Sequence, residues 1–201
     1  MYNPVSTYRL QFNKDFQLKN LKAHLEYLHT LNIKSIYASP IFRATPGSTH
    51  GYDVTDPIQI NPELGNRDEL TGIIEALHKK DMGWLQDIVP NHMAFNSHNP
   101  YIMDVLEKGP KSKYANFFDI NWNHAAFNGK LLTPFLGSSL QEAIDRGEIK
   151  LTIQDKKFFF DYYGNLYPLN FESVRSILVQ LDEKSLPEQT NALTRKMAGI
   201  D

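Results

Sequence analysis

Apolar positions along the first part of the chain follow two rhythms. From Ser6 to Phe12 the pattern alternates and is rich in β-favouring residues, whereas Leu18, Leu21, Leu25 and Leu28 recur at spacings of three and four. The first predicts a strand and the second an amphipathic helix. The segment Lys34 to Pro40 follows a helix stop at Asn32 and ends where proline has no N–H for a ladder, so it predicts a second strand. A long loop is expected through Pro46, Gly47, Gly51 and Pro57. Asn66, Asp68 and Glu69 then mark a helix start, with Leu70, Ile73, Ile74 and Leu77 as its buried stripe. A third strand is predicted from Gly83 to Val89. Its core, Trp84-Leu85-Gln86-Asp87-Ile88-Val89, is nearly continuous in apolar residues, as in a parallel strand covered by helices on both faces.

The order strand, helix, strand, helix, strand implies right-handed parallel crossovers and an α/β class. Periodicity leaves two architectures open, the start of an α/β barrel and a doubly wound sheet. From Met93 onward the rhythm is lost among asparagines, aromatic residues and short turns at Asn128-Gly129, Gly137-Ser138 and Tyr163-Gly164-Asn165. The expected division is therefore 1–92, with an inserted subdomain over 93–201. Within the latter, Lys150 to Ile153 and Lys157 to Tyr162 predict a hairpin, and Phe171 to Leu181 a helix. The tail from Ser185 to Asp201 is polar and has no clear apolar stripe.

Charge narrows the partners. With 21 Lys plus Arg against 23 Asp plus Glu the formal net charge is -2, and no basic run stands out. Nothing gathers phosphates, so neither nucleic acid nor an anionic membrane is expected as a partner. The chain contains no cysteine, which removes thiolate metal sites and thiol nucleophiles and suits the cytoplasm. No apolar segment follows a basic start, and nowhere do 18 apolar residues run together, so neither export nor membrane spanning is expected.

Two clusters fall at the carboxyl ends of predicted strands, where α/β proteins build their sites. The first is Ser48-Thr49-His50-Gly51-Tyr52-Asp53-Val54-Thr55-Asp56-Pro57, in a loop too long for a mere connection. Gly51 permits close backbone approach, and Tyr52 offers a flat apolar face with a hydroxyl at its rim. A capped turn whose aromatic covers a core edge would account for the same residues. The second is Asp87-Ile88-Val89-Pro90-Asn91-His92, with a carboxylate in an apolar strand and a histidine at its end. A buried carboxylate needs partners. Asp87 could bond to loop backbone beside a core histidine, or His92 could donate to a substrate hydroxyl while Asp87 and Asn91 fix the loop. The chain has no GxxxxGK[ST], GxGxxG, HExxH or GxSxG, and its seven histidines are too scattered for a metal site. His24, His29 and His78 read as helix-surface or helix-end residues.

Asp87-Ile-Val-Pro-Asn-His92 resembles the first motif of the α-amylase superfamily, at the end of the third barrel strand. Ser6-Thr-Tyr-Arg-Leu-Gln-Phe12, Tyr37-Ala-Ser-Pro40, Pro46-Gly-Ser-Thr-His-Gly-Tyr-Asp-Val54, Asp56-Pro57, Ile60-Asn-Pro-Glu-Leu-Gly65 and Phe117-Phe-Asp-Ile-Asn-Trp122 resemble its maltooligosyl trehalose synthase family in particular. The likeness runs to at least Gly137 and more weakly to Leu169.

The resemblance implies the first three strands of a (β/α)8 TIM barrel, followed by the inserted subdomain. It also implies retaining intramolecular transglucosylation, in which the reducing-end α-1,4 linkage of a maltooligosaccharide becomes α,α-1,1. On that reading Tyr52 stacks on the transferred sugar and His92 bonds one of its hydroxyls. His50 is a neighbour, Asp87 and Asn91 brace the site, and Arg43, Asp53 and Trp122 are placed by position only. The nucleophile, the acid/base and the third acidic residue of the family follow its fourth, fifth and seventh strands. None is found here, so no catalytic residue is assigned and an N-terminal fragment, inactive by itself, is expected. No cofactor is expected. Asn91 matches a position that holds calcium in some amylases, but no companion ligand is identifiable. The remaining alternatives are a carbohydrate-binding or assembly module that pairs with a chain carrying the rest of the barrel, and part of an α-amylase-type hydrolase.

Overall fold

The computed structural model describes residues 5–133 and 135–180, and divides into two compact units, Met1–Ala94 and Phe95–Asp201. In the first unit, β1 (Thr7–Leu10) leads into α1 (Leu18–Thr30), which ends at β2 (Ser35–Ala38). Asn20 starts α1 by accepting the Gln17 N–H at 2.8 Å. All four leucines of the predicted stripe are buried, at 0–4% exposure. Strand β3 (Phe42–Ala44) pairs antiparallel with β4 (Val54–Ile60), then α2 (Arg67–His78) and β5 (Gly83–Gln86) complete the unit.

The sheet order is β1-β2-β5, parallel throughout, with Arg9 opposite Tyr37 and Tyr37 opposite Leu85. One face of it meets α1 and α2. Phe12, Leu18, Leu21, Ile36, Ile73, Leu77 and Met82 form the core there. Asn66 caps α2 reciprocally, its side chain accepting from the Glu69 N–H at 3.0 Å while Glu69 accepts from the Asn66 N–H at 3.1 Å.

Three expectations for this unit need correction. The expected long loop contains the β3–β4 pair. Pro57 concealed it, yet it falls in the irregular stretch between the Arg43–Asp56 and Phe42–Ile60 pairs, where the ladder does not need its N–H. The third strand stops at Gln86 rather than Val89, with Leu85 48% and Ile88 58% exposed. Among the described residues β5 pairs with β2 alone and is an edge strand, so its apolar run is not enclosed. Leu70 and Ile74 are only half-buried on α2, because Ile73 and Leu77 point at the core.

The second unit carries more regular structure than its composition suggested. It contains α3 (Pro100–Lys108), α4 (Leu140–Asp145), the antiparallel meander β6 (Ile149–Gln154), β7 (Lys157–Tyr162) and β8 (Asn165–Pro168), and α5 (Phe171–Gln180). The predicted hairpin is β6–β7, with Leu151 opposite Phe160 and Ile153 opposite Phe158. The third strand was hidden by its shortness and terminal proline. Leu181 and the tail from Ser185 lie outside the described residues. Asn99, fully buried, starts α3 by accepting the N–H groups of Tyr101 and Ile102 at 3.0 and 3.2 Å, with Pro100 following it where no N–H is needed. Phe95, Phe135 and Tyr167 stack with ring centroids 4.3 to 5.8 Å apart.

Candidate functional site

Three strands deliver three side chains to one place. Arg9 lies near the carboxyl end of β1, Tyr37 near that of β2, and Asp87 one residue beyond β5, where its N–H still bonds to the Ala38 carbonyl at 2.9 Å. The loop between β3 and β4 brings Tyr52 over them. The Tyr52 hydroxyl donates to Asp87 Oδ2 at 2.5 Å, and the Tyr37 hydroxyl reaches the same oxygen at 3.4 Å. Arg9 donates from Nη2 to the Tyr52 hydroxyl at 3.2 Å, with the same nitrogen 3.9 Å from Asp87 Oδ2. Its guanidinium also lies 5.4 Å from the centre of the Tyr37 ring. The Asp87 bond pushes the Tyr52 hydroxyl above the usual phenol range, partly offset by Arg9. Tyr52 therefore stays a donor at neutral pH, with its side chain partly open to solvent.

The loop itself is held at several points. Gly51 has φ of 76°, and a Cβ there would stand 2.6 Å from the Pro40 carbonyl oxygen, so the close approach expected of this glycine is present. Ser48 donates to Asp53 Oδ1 at 2.5 Å and accepts the Gly51 N–H at 3.1 Å. His50 Nδ1 accepts the Tyr52 N–H at 3.0 Å, and its ring stacks beside Tyr52 with centroids 6.1 Å apart. Ser48, His50 and Asp53 do not form a nucleophilic triad, because the hydroxyl proton goes to the carboxylate and Nδ1 is taken by backbone. From beneath, Gln11 Nε2 donates to the carbonyls of Thr49 and His50 at 3.3 and 3.2 Å.

His92 is exposed, which sets aside the core-histidine account. Its Nε2 lies 3.2 Å from the Tyr52 carbonyl and its Nδ1 3.2 Å from Asn91 Oδ1. Asp87 likewise bonds through its carboxylate to tyrosine hydroxyls rather than to loop backbone. Tyr52, His92, Asp87, Asn91, His50 and Asp53 thus form one connected group. Arg43 is exposed on β3 opposite Asp56, and its side chain takes no part in the bonds described. Trp122 belongs to the second unit. Among the described residues no three His, Asp or Glu side chains stand close enough together to hold a metal ion.

Sequence reasoning did not assign Arg9, Gln11 and Tyr37 to the site. The signal was present, since Arg9 and Gln11 are two apart and so share one face of an alternating strand. A separate apolar groove of this unit, lined by Phe42, Ile58, Leu70, Ile74 and Trp84, contains none of the clustered residues.

Polar side chains gathered where parallel strands end, beneath a loop packed closely at Gly51, mark an α/β protein with a candidate site at the carboxyl edge of the sheet. The particular family is settled by comparison: the α-amylase catalytic-domain model matches residues 12–160, and the chain belongs to that family. A Mycobacterium tuberculosis protein named as a maltooligosyl trehalose synthase is 41% identical over 141 residues, which is 67% of this chain and 18% of that protein. A solved maltooligosyl trehalose synthase superposes with a TM-score of 0.71 at 41% identity, covering 82% of this chain and 22% of its own. A Bacillus cyclomaltodextrinase is 36% identical over 103 residues, 51% of this chain and 18% of that protein. The fold is accordingly an α/β part of the TIM-barrel catalytic domain, and the chain spans about a fifth of the length of the relatives it matches.

Proposed function

We propose that this chain is the N-terminal portion of an enzyme that isomerises the reducing-end α-1,4 linkage of maltooligosaccharides to α,α-1,1, contributing sugar-binding residues to its site. The observation that carries the reading is the joining of Tyr52, His92 and Asp87 at the ends of parallel strands. The synthase relative supports mutase over hydrolase, because it is the more similar of the two in identity as well as in extent, at 41% over 141 residues against 36% over 103 for the cyclomaltodextrinase. In this reading β1, β2 and β5 are the first three barrel strands, the second unit is the insertion after the third, and a chain carrying the remaining strands is a natural partner. The setting is the cytoplasm, and no helix among the described residues is long and apolar enough to cross a membrane.

Each residue then has a physical task. The Tyr52 ring packs against the apolar face of a glucose unit, while its hydroxyl is occupied by Asp87, which anchors the phenol oxygen. His92, exposed beside Tyr52, bonds a hydroxyl of the same sugar. Asn91 orients His92, and His50 and Asp53 keep the loop in shape. Arg43 stands further along the same hairpin as an outer contact.

Titrating the chain with maltopentaose and following amide shifts tests the reading. Saturable shifts around Tyr52 and His92 are expected, with affinity about tenfold weaker in Tyr52→Ala. Shifts confined to residues remote from this cluster would remove the assignment.

A further inference from the structure

We infer that Arg9 is a positioning residue for the sugar-binding face of Tyr52, acting through the Tyr52 hydroxyl and the Asp87 carboxylate; this rests on the glucan-binding reading given above. A single phenol on a loop can swing about its side-chain torsions, and one hydrogen bond to Asp87 leaves rotation about that bond free. Arg9 removes this freedom. Its Nη2 donates to the Tyr52 oxygen at 3.2 Å while that oxygen donates to Asp87 at 2.5 Å, so the phenol is held between a donor and an acceptor. The guanidinium is itself held, by Nη1 to Gln11 Oε1 at 3.1 Å and by the face of the Tyr37 ring.

The charges support the geometry. A planar cation with fixed donors can serve the phenol and face the carboxylate at the same time, which a lysine cannot do with the same directionality. Arg9 and Gln11 act together, since both project from the same face of the β1 segment and Gln11 carries the loop backbone at Thr49 and His50. The end of β1 thereby sets the loop height and the tyrosine plane. Arg9 side-chain exposure of 40% places the clamp at the rim of the site, where a bound sugar would shield it and strengthen its bonds.

The test follows the Tyr52 phenol in the full chain by tyrosine ring-carbon NMR, its signal assigned by loss in Tyr52→Phe. Arg9 opposes the Asp87-induced rise of the Tyr52 hydroxyl, so Arg9→Ala is expected to move its titration upward, and Arg9→Lys to give an intermediate shift. Maltopentaose binding is expected to weaken about tenfold in Arg9→Ala and to recover in part in Arg9→Lys. If Arg9→Ala does not fold, Arg9→Lys and Arg9→Gln carry the same reading. A Tyr52 titration and ring environment unchanged in a folded Arg9 variant would overturn the inference. Absence of maltopentaose binding by the wild-type chain would instead sink the glucan reading, with the Tyr52 titration still deciding the role of Arg9.

Discussion

Gly51 shows how tightly the loop is tied to the strand beneath it. Its φ of 76° disfavours any side chain, and the added Cβ would meet backbone at the Pro40 carbonyl, which cannot rotate away. Gly51→Ala is expected to cost about 2 kcal/mol or more and to displace Tyr52, read as a lower thermal midpoint with altered Tyr52 ring signals. Tyr52→Phe separates ring from hydroxyl. It keeps the stacking face but leaves Asp87 without its shortest partner, so sugar affinity should fall less than in Tyr52→Ala, and near-equal losses would show that the ring face is not what binds. At this scale the chain was partly readable. Tyr52, His92 and Asp87 stood out because a polar residue at a strand end demands a reason. Arg9 did not, because a cation in an alternating strand reads equally well as its solvent face until the loop that covers it is known.

Elements are held by a few buried polar bonds as much as by apolar stripes. Ser39, fully buried just after β2, accepts the Phe12 N–H at 2.8 Å and so joins the ends of two strands. Ser39→Ala leaves that N–H unpaired and is expected to cost about 1–3 kcal/mol by denaturant titration, although it removes only one atom. In the second unit Asp104 ties α3 to the turn after it, bonding Lys108 and, at 2.5 Å, Ser112. The Lys108 bond, then the Ser112 bond, hold its carboxyl below the usual aspartate range. A lowered folded value contributes stability that is complete above the ordinary aspartate range and is lost as pH falls through the folded value. Asp104→Asn should therefore lower the thermal midpoint at neutral pH, and its difference from wild type should shrink on acidification through and below that range. A constant difference at all pH values would show that the charge is not the cause. The long amphipathic helix α1 was legible because thirteen residues average over local accidents. The short helices α3 and α4 were not, since nine and six residues give a periodic signal too brief to separate from composition. Strand β8 lacks the longer run of β-favouring residues that made the equally short β1, β2 and β5 readable.

For the whole molecule the question is whether binding groups alone can turn over a sugar. Retaining cleavage of a glycosidic bond needs a nucleophile and a proton donor about 5 to 5.5 Å apart across the anomeric carbon. In the cluster two carboxylates are present, and both are committed: Asp87 to the Tyr52 and Tyr37 hydroxyls, Asp53 to Ser48. In the proposed reading the Tyr52 ring holds the sugar, and freeing Asp87 would release that ring, so Asp87 is not expected to serve as brace and nucleophile together. Positioning without the reacting pair forfeits nearly all of the rate while leaving affinity. The 201-residue chain is therefore expected to bind maltopentaose yet to produce neither shorter sugars nor a non-reducing isomer over a long incubation, followed by reducing-end assay and chromatography. Turnover that survives repurification and disappears in Asp87→Ala would show that this carboxylate reacts with the substrate. The bracing role given to Asp87, and with it the clamp on Tyr52, would then have to be abandoned.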